Sequence, residues 1–100
     1  MELYQAEWCP HSHNVRQRLT ELGLDFRARQ VPADPDARCV MERAVGINEI
    51  PVLVPERGDP ICGEESILEY LSRFDEREDA EDHRDKARQE VQAFVETDGS

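Results

Sequence analysis

Cys9 stands among Trp8, Pro10, His11 and Ser12, where a short extended stretch gives way to an amphipathic helix. A thiol attacks disulfides as thiolate, so its chemistry is set by whatever lowers its pKa. After Pro10, Val15, Leu19 and Leu22 recur at spacings of four and three with charged residues between them, and Gly23 closes the run. That is a helical signature with its stop. Met1–Gln5, in front, has an apolar, β-friendly rhythm that can open a sheet. Cys9 therefore falls at or just before a helix N-terminus, where unpaired backbone N–H groups and the macrodipole favour negative charge. Pro10 suits the first turn, where its missing N–H costs nothing. The chemistry expected is a thiol with a lowered pKa, rather than the small buried hydrophobe that most free cysteines are. Cys39 and Cys62 lack such a setting and take that second reading.

The elements that must position this thiol follow in order. Asp25–Val31 alternates and predicts a second strand, joined to the first through the helix as a right-handed unit with parallel strands. Pro32–Asp36, with two prolines and two aspartates, reads as loop. Ala37–Val45 predicts a short helix with Val40, Met41, Ala44 and Val45 on its apolar side, stopped by Gly46. Val52-Leu53-Val54 is a buried strand introduced by Pro51, and Glu56–Asp59 turns it into an antiparallel strand at Pro60–Cys62. Glu64-Glu65-Ser66 opens a helix whose apolar face is Ile67, Leu68, Tyr70, Leu71 and Phe74. Asp75 to His83 is almost wholly charged and reads as linker or frayed helix. Ala87, Val91, Phe94 and Val95 then mark a last helix over about Glu81–Glu96, with Thr97–Ser100 frayed; a helix this weak must dock on something.

Composition narrows the function classes. One hundred residues make one domain with a modest core. Asp and Glu number 23 against 12 Lys and Arg, a net charge of −11, and Lys86 is the one lysine. Such a surface argues against nucleic acid and anionic membranes, which select clustered cations. It resembles the acid-rich, lysine-poor surfaces of salt-loving microbes. Nothing approaches the length of a membrane span, and the start of the chain, with Glu2 and no basic region, does not read as a signal peptide. Three cysteines, an odd number, fit a reducing cytoplasm better than a disulfide scaffold.

Three pieces in register carry a family resemblance. They are Trp8-Cys9-Pro10-His11-Ser12 with Arg16 and Leu19, then Glu49-Ile50-Pro51-Val52-Leu53, then Glu65-Ser66-Ile67-Leu68-Glu69-Tyr70-Leu71. Over about residues 1–74 the chain resembles glutaredoxins and the N-terminal domain of glutathione transferases, especially the omega-type enzymes with Cys-Pro. The resemblance implies an α/β, thioredoxin-like fold: a four-stranded mixed sheet in the order β-α-β-α-β-β-α. Residues 75–100 would then add an acidic linker and an extra C-terminal helix packing on the domain.

The resemblance also implies roles. Cys9 would be the nucleophile, with Pro10 and Ser12 completing the catalytic motif. Pro51 would be cis, exposing the Ile50 backbone to a glutathione-like thiol. Glu65 and Ser66 would hold the γ-glutamyl end, its carboxylate at the helix start; the plainer reading of Ser66 is a helix cap. Trp8 would be a pocket wall or simply core. His11 or His13 could stabilise the thiolate, and Arg16, Arg38 and Arg43 are candidates for the second carboxylate of the ligand. Cys-x-His-x-His does not converge on a helix, so no metal is expected.

Two departures shape the expected activity. Ser12 stands where a dithiol motif has its second cysteine, which favours a monothiol mechanism on mixed disulfides. Glutathione or a similar γ-glutamyl thiol would be the co-substrate and glutathionylated-type proteins the substrates. The residues after Phe74 are too few to rebuild the helical domain that glutathione transferases use for conjugation. The alternatives are an iron–sulfur carrier, a thiol-binding module without turnover, or a transferase-like enzyme. A monomer is expected, with a dimer as the other possibility.

Overall fold

The computed structural model describes residues 1–98, with side chains to Gln89. The strands are β1 (Glu2–Gln5), β2 (Arg27–Gln30), β3 (Val52–Val54) and β4 (Ile61–Cys62). The helices are α1 (Pro10–Leu22), α2 (Cys39–Val45), α3 (Glu64–Leu71) and α4 (Ala80–Asp98). The four strands form one mixed sheet in the order β2-β1-β3-β4. β1 runs parallel to β2 and antiparallel to β3, and β3 is antiparallel to β4. This is the thioredoxin-like α/β fold, with α4 appended.

Register explains the layering. Leu3 pairs with Leu53 and Tyr4 with Val52, so alternate residues face opposite sides of the sheet. Leu3 and Leu53 join Val15, Leu19 and Leu22 of α1 and Ile67 and Leu71 of α3 in one buried cluster. The spacing of four and three along α1 is what puts its three apolar residues into that cluster. Gly23 ends α1 at φ 68°, a left-handed conformation that glycine adopts without the penalty a Cβ brings.

The other face is thinly covered, and here several expectations fail. The second strand is confined to Arg27–Gln30 and is exposed along its whole length, because it is the edge of the sheet. The Pro32–Asp36 loop closes into a short 3₁₀ turn at Pro35–Ala37, where the Asp34 side chain accepts from the Asp36 amide at 2.9 Å. α2 starts two residues later than its pattern suggests and buries Met41, while Val40 is 74% exposed and Ala44 is exposed. Seven residues make under two turns, so Met41 is the one fully buried side chain of the helix, with Val45 half-buried.

The acidic segment after α3 is tied down. The Arg77 amide donates to the Glu21 carbonyl of α1 at 2.9 Å. Arg84 reaches both Glu21 and Glu76 at 2.9 Å, and Arg18 reaches the same two carboxylates at 2.9 and 2.6 Å. α4 thereby docks on α1, beginning at Ala80 and running to Asp98 through part of the stretch expected to fray. Ala87 is half-buried; the side chains of Val91, Phe94 and Val95, and residues Gly99 and Ser100, lie outside the described part.

Candidate functional site

Cys9 is the N-cap of α1, at φ −82° and ψ 117°, and Pro10 is the first helical residue. A turn brings the Cys9 amide to the Ala6 carbonyl at 3.2 Å, and the Cys9 carbonyl accepts from His13 at 3.0 Å, which starts the helix ladder. The residue exposes 6% of its surface. Burial pushes the thiol up, but hydrogen bonds from the Ser12 hydroxyl and from the Ser12 and His11 amides, with the charge of Arg16, outweigh it. The net result is a thiol below its ordinary value. Burial and a lowered pKa coexist because the donors converge on one atom, as they do at helix starts.

Ser12 is fully buried. Its Oγ also accepts from the Ala6 amide at 3.4 Å, so one hydroxyl joins the end of β1 to the thiol. Arg16 is fixed beside it by bonds to the Gln5 side chain, the Ala6 carbonyl and Glu7. Gln5 is itself buried, a polar residue at the end of a strand whose partner is this guanidinium.

The start of α3 meets this helix start, and the proline loop is joined to the start of α3. The Ile50–Pro51 peptide bond is cis. The Pro51 carbonyl accepts from the Gly63 amide at 2.9 Å, and Gly63 is the N-cap of α3. The proline loop and the start of α3 are therefore joined. Glu64, the first residue of α3, spans back to α1: its Oε2 lies 2.6 Å from His11 Nδ1, and its Oε1 accepts from Asn14 Nδ2 at 2.6 Å. Glu65 and Ser66 follow, both exposed. Ser66 is the third helical residue, so its plainer reading as a cap is set aside in favour of Gly63. A cavity of about 460 Å³ along the outer side of α3 includes Ser66, Ile61 and Tyr70 in its lining.

The structure thus links the helix start that carries Cys9, Pro10 and Ser12 to that of Glu65 and Ser66 through Glu64, and Pro51 to the latter through Gly63. Ile50 enters as the residue before the cis bond. Trp8 is 64% exposed, which removes it from the core and leaves it on the surface beside the thiol. His11 does not give the sulfur its imidazole: its amide reaches Cys9, and its ring is turned to Glu64. Arg38, buried to 5% exposure, donates to the carbonyls of Pro32, Ala33 and Asn48, so it clamps two loops instead of awaiting a ligand. Arg43 is exposed on α2. Cys39 is exposed and Cys62 half-buried, against the expectation for both. Cys39 opens a helix seated by Met41, and Cys62 lies on the last strand of the sheet. Burial and then the nearby Glu49 push the Cys62 thiol up, the opposite of Cys9. Among the described residues no three His, Cys, Asp or Glu side chains converge as a metal site.

Glu64, Asn14 and Gln5 are the site residues that sequence reasoning missed. Glu64 reads there as a helix-dipole acid, and its partners are 53 and 50 positions away.

Comparison with known proteins agrees with this geometry. The family model described as glutaredoxin matches residues 1–57. Among solved structures, a glutathione S-transferase domain-containing protein from Marinobacter aquaeolei VT8 is 26% identical at a TM-score of 0.61, over 75% of this chain and 39% of that one. A rice glutathione S-transferase in complex with glutathione is 27% identical at 0.61, over 72% and 32%. A glutathione S-transferase from Methylobacillus flagellatus, with glutathione bound, is 27% identical at 0.55, over 70% and 34%. The chain therefore spans 32 to 39% of the length of these proteins. No curated protein matches it.

Proposed function

The chain belongs to the glutaredoxin family, and from that premise we propose that it is a monothiol thiol–disulfide oxidoreductase acting through Cys9 on mixed disulfides of glutathione or a similar γ-glutamyl thiol. The observation that carries the reading is Cys9 at the N-cap of α1, its thiol lowered by Ser12, two amides and Arg16, with Ser12 where a second cysteine would be.

The exchange runs in two balanced steps. The Cys9 thiolate attacks the glutathione sulfur of the mixed disulfide; a new S–S bond forms, the old one breaks, and the target leaves as a thiolate that takes a proton from water. A second glutathione thiolate then attacks the glutathione sulfur on Cys9. It releases oxidised glutathione and regenerates the Cys9 thiolate, so one glutathione thiol is consumed per turnover, its sulfur passing from thiol to disulfide as the target's passes from disulfide to thiol. The backbone of Ile50, before the cis bond, would pair with the peptide of the thiol, and the amides of Glu65 and Ser66 would receive its γ-glutamyl carboxylate. Trp8 and His11 would border it.

Mass spectrometry after exposure to oxidised glutathione tests this reading. A single adduct at Cys9, lost in Cys9→Ser and reversed by reduced glutathione, is the expected result. Adducts at Cys39 or Cys62 with none at Cys9 would overturn it.

A further inference from the structure

The backbone leading into Pro51 is fastened at few points. On its far side the Pro51 carbonyl accepts from the Gly63 amide at 2.9 Å. On its near side α2 closes with the Gly46 amide on the Glu42 carbonyl at 2.8 Å. Between these anchors, among the described residues, one hydrogen bond reaches the backbone of residues 47–50: Arg38 Nη1 donates to the Asn48 carbonyl at 2.6 Å. Arg38 is the N-cap of α2 and is 5% exposed. Its other two nitrogens donate to the loop after β2, Nε to the Pro32 carbonyl at 2.8 Å and Nη2 to the Ala33 carbonyl at 3.2 Å. Among the described residues it makes no ion pair, so three carbonyls stabilise its buried charge. One planar fork therefore braces residues 47–50 against the loop that leaves the sheet, a geometry a lysine ammonium cannot reproduce.

We propose that Arg38 is a positioning residue for the small thiol: by holding the Asn48 carbonyl it sets where the backbone of Ile50, two residues on, meets the peptide of the ligand. The inference rests on the proposed function, which gives Ile50 that task. Its reach ends at the peptide. The groups that lower the Cys9 thiol are Ser12, the His11 amide and Arg16, and none of them is bonded to Arg38.

The test separates recognition of the peptide from reactivity of the sulfur. Cys9 of the full chain is reacted in separate experiments with oxidised glutathione and with hydroxyethyl disulfide, which has no peptide. In Arg38→Lys, which keeps the charge and loses the fork, the rate with oxidised glutathione falls about tenfold, the effect of one charge-assisted hydrogen bond, while the rate with hydroxyethyl disulfide is unchanged. Arg38→Gln, which keeps a donor and drops the charge, shows the same split and serves if the lysine variant does not fold. A merely structural role lowers both rates together or neither, and either result overturns the proposal. Hydrogen exchange gives a readout without ligand: the Ile50 amide exchanges faster in the variant, and the Leu53 amide in β3 does not. If the parent chain reacts no faster with oxidised glutathione than with hydroxyethyl disulfide, the proposed function falls. The exchange rates then decide whether Arg38 sets the loop, and unchanged exchange at Ile50 overturns it.

Discussion

Ser12→Ala is the most informative single change at the thiol. It removes one oxygen that does two things: it donates to the Cys9 sulfur and accepts from the Ala6 amide at 3.4 Å. A hydrogen bond to a charged group contributes about 1.5 kcal/mol at the lower end of its range, and about 1.4 kcal/mol is a factor of ten in a population. The His11 and Ser12 amides and Arg16 stay in place, so the thiol still ionises, but later. On the acid side of its titration, the thiolate fraction at any fixed pH should fall about tenfold. Iodoacetamide alkylation followed against pH reads this directly, because the rate tracks thiolate; absorbance at the thiolate band gives an independent curve. The Ala6 amide, in a residue 3% exposed, also loses its acceptor, so unfolding stability drops by about 1–2 kcal/mol. An alkylation profile that superimposes on the parent curve would refute the reasoning, since the hydroxyl would then have no part in holding the charge.

Leu53→Ala removes a fully buried side chain from the cluster that joins β1, β3, α1 and α3, and should cost about 2–5 kcal/mol in urea unfolding. Glu76 is held down to about 2, below its ordinary 4.5, by hydrogen bonds from Arg84 and Arg18. A depressed carboxylate stabilises the fold above its unfolded pKa and loses that effect as pH falls through the folded one. The stability difference between the parent chain and Glu76→Gln should accordingly be full above about 4.5 and vanish towards pH 2. Urea midpoints of the two proteins at a series of pH values check this, and a difference that is flat with pH would contradict it.

How much of this was legible in the sequence depends on distance along the chain. α1 could be read because its apolar spacing, its glycine stop and its proline start are all local signals, and they set Cys9 at the N-cap without any knowledge of the sheet. The ligand-binding roles of Ile50, Glu65 and Ser66 and the cis bond at Pro51 came from a resemblance, and the structure adds how these segments are joined, through the Gly63 amide and the Pro51 carbonyl. Val40 misled because periodicity identifies a face and not whether anything packs on it; in this helix of seven residues Met41 alone is fully buried. Arg38 looked like a free cation because three backbone carbonyls leave no mark in sequence. Glu64 was hidden for the same reason: side-chain partners fifty or more positions away are a tertiary fact.

The edge strand β2 carries a consequence for how the molecule behaves in company. Its outer rim is half a ladder, with backbone donors and acceptors able to accept a further strand from any chain that offers one. The residues on it are Arg27, Ala28, Arg29 and Gln30, so two copies meeting rim to rim would bring four guanidinium groups into one narrow row. Arg29 is paired with Glu2 of β1, so Arg27 contributes most of the repulsion along this border. Valine at both positions would turn a shielded border into an adhesive one.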